Sequence, residues 1–364
     1  MLKSLSLVGM MVASTALAAP PPSGYTVLSP VTGDNSARIN AALAMGYPVF
    51  LESGDYTVTA PIAVHTNQTL VCENSHDNTA GNFGGGGYGG EGTTRIIPAA
   101  GFSADGVVQM FGSDPAVRGC SVNMDINHSS GNCFQVEDGT FGAMFDNVGA
   151  FFCRNHGIDA TPVNSNIGLM RVVNHSSFFN SAGRAINIGF APGSVSTSDT
   201  HIDGNYFGSN CKSGCDGDIY LYFTNGSFRN NRQEWTNNTG VVCNNCQIFL
   251  FDGNYWDRTG GPAIQAIGKA NINIMGGQIV GASRGVNYAG PAVRISKDQF
   301  GNQPTVRSNV AISVWSTSGS QFQADGLYDG RLDTLGHAIS PTWPYTFQDQ
   351  KSHDVLNWAV MSPY

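Results

Sequence analysis

The segment Asp203-Gly-Asn-Tyr-Phe207 returns as Asp252-Gly-Asn-Tyr-Trp256, and related segments end at Phe152, Phe179, Trp235 and Val280. Each is followed within about a dozen residues by a short apolar run: Gly157–Ala160, Ala185–Ile188, Asp218–Phe223, Gly240–Cys243, Ala263–Ala266 and Gly285–Tyr288. In those runs a strand alternation leaves one outward residue between two inward apolar ones, at Asp159, Asn187, Tyr220, Val242, Gln265 and Asn287. The steps between them, roughly 22–33 residues, have the length of one solenoid repeat. Short strands without sustained helical periodicity exclude leucine-rich and helical repeats. What remains is an all-β chain wound as a parallel β-helix, with coils stacked about 4.8 Å apart. On this alignment Phe152, Phe179, Phe207, Trp235 and Trp256 are expected to stack inside, one per coil. Asn205 and Asn254 are expected in a turn, with their amides bonding along the stack.

The segment Gly33–Val64 carries Asp34, the helical run Ala37-Arg-Ile-Asn-Ala-Ala-Leu-Ala44, the strand Pro48-Val-Phe-Leu51 and then Ser53-Gly-Asp-Tyr-Thr-Val-Thr-Ala-Pro-Ile62. It resembles the opening of the pectate-lyase-like superfamily, specifically the rhamnogalacturonase/epimerase-type β-helix domain also found in phage tailspikes. Gly89–Ile97 resembles that group's second turn and strand. The resemblance covers most of residues 25–320 and implies a right-handed parallel β-helix with a short N-terminal capping helix. Lyases, hydrolases, fructotransferases, epimerases and binding proteins all share that fold, so it leaves the activity open. Many members form trimers with sites between subunits, so a homotrimer is among the assemblies it implies. The Asn-Thr-Asp, Gly-x-Asp-Asp and Gly-His-Gly elements of polygalacturonase-type hydrolases do not occur here, nor does the pectate lyase pattern.

Residues 1–18 combine Lys3, an apolar run and Ala16-Leu-Ala18, the pattern of a cleaved export signal. A secreted or periplasmic protein follows, with the solenoid at 19–318 and an aromatic-rich tail at 319–364 covering its open end. No segment is apolar for long enough to suggest a membrane partner. A formal net charge of −8 argues against a sequence-independent nucleic-acid binder, which needs a basic stripe. Eight cysteines after an export signal favour disulfides. Cys211-x3-Cys215 and Cys243-x2-Cys246 also have the spacing of a four-thiolate zinc site, which an oxidising compartment disfavours. The glycine-rich run Gly81–Gly92 lacks the Gly-Lys-Ser/Thr of a phosphate cradle and is read as a loop.

Glycosidic cleavage by acid and base needs two carboxyl groups on a surface that sugar can reach. Once the export signal is removed, the glutamates are Glu52, Glu73, Glu91, Glu137 and Glu234. On the aromatic alignment Glu234 faces outward between Tyr206 and Tyr255, whose rings suit sugar faces. Asp159 faces outward on its own row, with Asp216, Asp218, Tyr220 and Tyr222 two coils on, beside the Cys211–Cys215 loop. Glu234 with Asp218 is the expected acid/base pair, replaced by Asp159 with Asp218 should the first two lie on opposite faces; the competing view makes Glu234 a solvated carboxylate and the Asp216–Asp218 segment an ordinary turn. Arginines precede the strands at Arg154, Arg184, Arg258 and Arg284. Arg184 is a candidate proton-abstracting base and Arg154 a substrate contact, against the plainer role of bridging coils. His156 and His201 are turn histidines that could also shuttle protons. The expected function is therefore a carbohydrate-active enzyme that hydrolyses or transfers a polysaccharide or oligosaccharide without a cofactor. A lyase, with calcium holding the acid group, is the alternative; a non-catalytic glycan-binding or surface protein is the other.

Overall fold

The structure is a computed structural model. It describes residues 24–73, 93–124, 131–190, 195–275, 277–279, 282, 293–296, 298–302, 304–308, 312–314, 345–349 and 355–358. The segment 1–18 expected to be an export signal, the run Gly81–Gly92, Arg284, Asn287 and the expected boundary at 318 lie outside the described residues, as does most of the expected tail.

Three parallel sheets wrap one core as a right-handed β-helix. The first, with eleven strands, begins at Thr26–Leu28 and ends at Thr305–Ser308. The second and third, with nine strands each, run from Gly54–Val58 to Gln278–Ile279 and from Ile62–Val64 to Val293–Ser296. Each coil crosses the sheets in that order. Its neighbours pair with it in parallel register, so like residues stack: Ile62, Val108, Phe134, Ile158, Ile186, Ile219, Val241, Ile264 and Val293 form one inner row. All are buried. β-Branched residues dominate the row because the pleat holds their stiff side chains against neighbours above and below.

The only helix among the described residues, Ser36–Ala44, closes the first coils by burying Ile39 and Leu43. Asp34 ties the turn before it, accepting hydrogen bonds from the Ser36 and Thr59 backbone N–H at 3.0 and 2.9 Å. The Ser36 hydroxyl and these N–H groups pull its carboxyl down to about 2.

The turn between the first and second sheets holds the expected amide ladder. Asn205 N–H donates to Asn231 Oδ1 at 2.9 Å, and Asn231 N–H donates to Asn254 Oδ1 at 3.0 Å. Their amide groups donate in turn to Val172, Ile202 and Phe228 carbonyls of the preceding coils. Asn231 is the rung that the sequence comparison passed over.

The aromatic stack is shifted from its expected register. On the second sheet the inner row runs Ala150, Phe178, Phe207, Gln233, Trp256 and Ile279. Phe207 and Trp256 are inside as expected, with Phe178 stacked on Phe207 at 5.2 Å and Phe228 on Trp256 at 6.2 Å. Phe179 lies on the opposite, outer row, stacked on Phe151. Phe152 and Trp235 follow their strands with φ of 56° and 53°, as do Asn180, Ser209 and Arg258 at the same corner. A left-handed residue after the strand turns the chain toward the third sheet and takes its side chain out of the alternation. Trp235 is consequently 38% exposed, and Gln233 takes the inner place.

All eight cysteines are in disulfides: Cys72–Cys120, Cys133–Cys153, Cys211–Cys215 and Cys243–Cys246. The zinc arrangement is thereby excluded, since none of the thiols is free. In the tail, Tyr345–Asp349 pairs with Ile312–Val314 and Val355–Trp358.

Candidate functional site

The third sheet turns one polar row outward. Gln109, Gln135, Asp159, Asn187, Tyr220, Val242 and Gln265 are register partners on successive coils, as the strand alternation requires. Asp159 is half-buried between the inward Ile158 and Ala160. Its Oδ1 accepts from Asn187 Nδ2 at 2.6 Å and Thr161 Oγ1 at 3.0 Å, and its Oδ2 accepts from Gln135 Nε2 at 3.1 Å. Arg184 extends the chain of contacts, donating to Asn187 Oδ1 and Asp216 Oδ1 at 2.5 Å each. Its guanidinium lies 4.3 Å from the centre of the Tyr220 ring, and Tyr220 Oη accepts from Asn244 Nδ2 at 2.9 Å. Asp159, Arg184, Asp216, Tyr220 and Tyr222 are thus brought onto one face.

Glu137 joins that face two positions beyond Gln135. Burial, and then the neighbouring Asp105, Asp138 and Asp159, raise its carboxyl above the ordinary range. Its placement depends on the pairing of Gln135 with Asp159, which no motif in the sequence marks. Beside it, Asp138 accepts from the Val163 and Asn164 N–H at 2.6 and 2.7 Å, tying the next coil's corner to the site.

The corner 160–170 between the third and first sheets, with the described residues 189–190 and 195–199 of the next coil's corner, flanks this face on one side. They pair with each other through Ile167–Gly168 and Thr197–Ser198. Phe190 is exposed there, with its ring 4.9 Å from that of Tyr222. The opposite flank is the 209–216 corner, pinned by Cys211–Cys215 and by Asn238 Nδ2 donating to the Cys215 carbonyl. Arg154 and His156 stand in the corner leading to Asp159. His156 Nδ1 accepts from the Arg184 N–H at 2.9 Å. Burial pulls its pKa to about 4, with Arg184 adding to the shift and Asp159 opposing it, so the ring is neutral at neutral pH. His201 lies elsewhere, on the first sheet, bonded to Ser227.

Asp218 does not share the face. It is fully buried at the corner where the second sheet meets the third, and its Oδ2 accepts from the inward Gln233 Nε2 at 2.9 Å. Burial raises its carboxyl to about 7. Glu234 follows Gln233 in the strand and belongs to the outer row of the second sheet, so the wall of the solenoid separates the expected pair. The aromatic neighbours of Glu234 also change. Arg232, not Glu234, is the register partner of Tyr206 and Tyr255; Glu234 stands between Gly208 and Asp257. The misplacement has the same cause as that of Trp235, a left-handed residue counted as part of the strand.

No protein-family model matches the chain, and no curated protein does. Solved structures do match. A Geobacillus virus E2 protein, ORF18, aligns with 79% of this chain at 12% identity and a TM-score of 0.58. The A-module of an Azotobacter vinelandii mannuronan C-5 epimerase aligns with 82% of it at 12% identity and a TM-score of 0.46. An Acinetobacter phage tailspike aligns with 84% at 8% identity and a TM-score of 0.39. This chain spans 61% of the viral protein's length, 100% of the epimerase module's and 65% of the tailspike's.

The likeness is one of fold. Among the described residues no group of three or more His, Cys, Asp or Glu side chains is arranged to hold a metal ion, and no helix is long and apolar enough to cross a membrane.

Proposed function

We propose that the chain is an exported, carbohydrate-active β-helix enzyme of pectate-lyase-like type, which hydrolyses or transfers glycosyl units of a polysaccharide on the outer face of the third sheet. The observation that carries this reading is the contrast between two neighbouring carboxylates. Glu137 is pushed toward its protonated form by burial and by the acids around it. Asp159 instead accepts hydrogen bonds from Gln135, Asn187 and Thr161. A carboxyl pushed toward its protonated form can act as the acid, with Asp159 beside it as the second carboxyl group that glycosidic cleavage needs. Glu137 would donate its proton to the departing glycosidic oxygen as the C–O bond breaks. Asp159 would serve as the base that activates water, or as the nucleophile. Tyr220 and Tyr222 offer ring faces to the sugar.

Arg184 fits a positioning role better than that of a proton-abstracting base. It is ion-paired with Asp216 and bonded to Asn187, contacts that favour a held guanidinium. This role supports a reading of hydrolysis over elimination. The four disulfides agree with an oxidising compartment and hence with export.

Incubating the purified chain with a panel of neutral and acidic polysaccharides tests the reading. New reducing ends without unsaturated uronate support it, provided that Asp159→Asn and Glu137→Gln abolish them. Unsaturated uronate would replace hydrolysis by elimination, and no product from any glycan would leave a binding protein.

A further inference from the structure

Two arms of hydrogen bonds close a ring around Asp159 across three successive coils. One arm starts at the His156 backbone N–H, which donates to Asn132 Oδ1 at 2.9 Å. Asn132 Nδ2 donates to Gln135 Oε1 at 2.7 Å, and Gln135 Nε2 donates to Asp159 Oδ2 at 3.1 Å. The other arm starts at Arg184, whose Nη1 donates to Asn187 Oδ1, and Asn187 Nδ2 donates to Asp159 Oδ1. The Arg184 backbone N–H closes the ring on His156 Nδ1.

Each arm is oriented from its outer end. A backbone N–H can only donate, so Asn132 turns its oxygen to His156 and its NH2 group to Gln135, which accepts there and donates to Asp159. A guanidinium can only donate, so Asn187 likewise turns its NH2 group to Asp159. Reversing Gln135 would set nitrogen against Asn132 Nδ2 and oxygen against Asp159 Oδ2. Asn132, Gln135 and Asn187 are only 6%, 8% and 6% exposed, so water is poorly placed to satisfy a reversed amide.

The two oxygens of Asp159 are used unequally. Each carboxylate oxygen has two lone pairs. Oδ1 accepts from both Asn187 Nδ2 and Thr161 Oγ1 and is filled. Oδ2 accepts from Gln135 alone among the described residues, which leaves one lone pair for a proton or a sugar carbon.

On the reading that glycosidic bonds are cleaved at this face, on which the assignment rests, we propose that Asp159 reacts through Oδ2. Gln135 is a positioning residue for that atom, held in turn by Asn132. As a base, Oδ2 takes a proton from water as the water oxygen bonds to the anomeric carbon and the bond to the departing oxygen breaks. Glu137 gives its proton to that oxygen. As a nucleophile, Oδ2 bonds to the anomeric carbon itself, and water later releases the sugar.

The test measures kcat and KM of the full chain and its variants on cellulose, laminarin, starch, xylan, chitin and polygalacturonate. Gln135→Met keeps the length of the side chain and removes the donor to Oδ2. It should lower kcat by about tenfold or more with KM within about twofold. Asn132→Leu should lower kcat in the same sense, and the double variant should be no worse than Gln135→Met, because Asn132 acts through Gln135. Thr161→Val removes a donor from Oδ1 only and should lower kcat by about threefold or less. Side-chain amide NMR supplies a readout without substrate: the Gln135 NH2 signals should move when Asp159→Asn removes the charge to which they donate. Thermal unfolding shows which variants remain folded. Unchanged kcat in folded Gln135→Met, a loss confined to KM, an equal loss with Thr161→Val, or Gln135 signals indifferent to Asp159→Asn would each overturn this assignment alone. No cleavage of any polysaccharide by the unmutated chain would overturn the reading of the face, and the assignment with it.

Discussion

Replacing Asp218 by asparagine should stabilise the protein at neutral and alkaline pH and remove part of its pH dependence. Asp218 is fully buried, and its carboxyl is raised from 3.8 to about 7, mainly by burial, with the Gln233 amide working against the shift. Its Oδ1 and the Gln233 Oε1 both lack partners, whereas Gln233 Nε2 already donates to Oδ2. A proton on the carboxyl removes the buried charge while leaving Oδ2 to accept from the Gln233 amide; asparagine is uncharged at every pH and keeps an acceptor for that amide. Because the folded state holds this proton more tightly than the unfolded chain, stability contributed by the group is complete below about pH 4. It is then lost as pH rises toward 7. A rise of about three pKa units corresponds to about 4 kcal/mol, of which about 3 kcal/mol falls between pH 5 and pH 8. Urea unfolding of the wild-type chain and Asp218→Asn at both pH values measures it. The advantage of the variant should grow by about 3 kcal/mol from pH 5 to pH 8. An advantage equal at the two pH values to within about 0.5 kcal/mol would mean that Asp218 is hydrated and ionises normally, and the buried acid–amide account would fail.

Trp256→Ala should cost about 3–5 kcal/mol in denaturant unfolding, whereas Trp235→Ala should cost less than about 1 kcal/mol, because only the former ring is in the core. Asn231→Ala strands the Asn205 N–H and the Ile202 carbonyl, and should lower stability by about 2 kcal/mol or more by the same measurement. Where a polysaccharide substrate is found, Glu137→Gln should reduce turnover at least about a hundredfold. Wild-type turnover should also decline as pH rises through the elevated pKa of Glu137, since the acid must be protonated; a rate indifferent to pH there would exclude it as the proton donor.

The coil repeat and the third-sheet row were legible in the amino-acid order. Asp159, Asn187, Tyr220, Val242 and Gln265 occupy successive coils in the expected register. Alternation with period two, flanked by buried isoleucine, valine and leucine, leaves few ways to pair such strands, because a one-residue slip would expose the core row. The amide turn was legible for a related reason: Asn205 and Asn254 stand at the same place in near-identical segments, and stacked coils bring identical places together.

The second sheet escaped the same reasoning. There the inner places of the strands Tyr206–Gly208, Arg232–Glu234 and Tyr255–Asp257 are held by Phe207, Gln233 and Trp256, so a polar side chain breaks the apolar alternation that would declare the register. A left-handed residue after each strand can be aromatic and yet lie outside, as Trp235 does, so aromatic residues mislead an alignment made on them. Asp218 could not be placed either, since the turn into its strand directs a carboxylate inward to Gln233 from the following coil. Nor could Glu137, whose carboxyl is raised first by burial and then by acids that include Asp105 and Asp159 from elsewhere in the chain. The repeating order of residues therefore determined which strands stack and which residues of the third sheet face out. Only the tertiary structure decided which carboxylates share a face and which are buried, because that depends on the direction the chain takes at each corner and on the charges that neighbouring coils bring beside it.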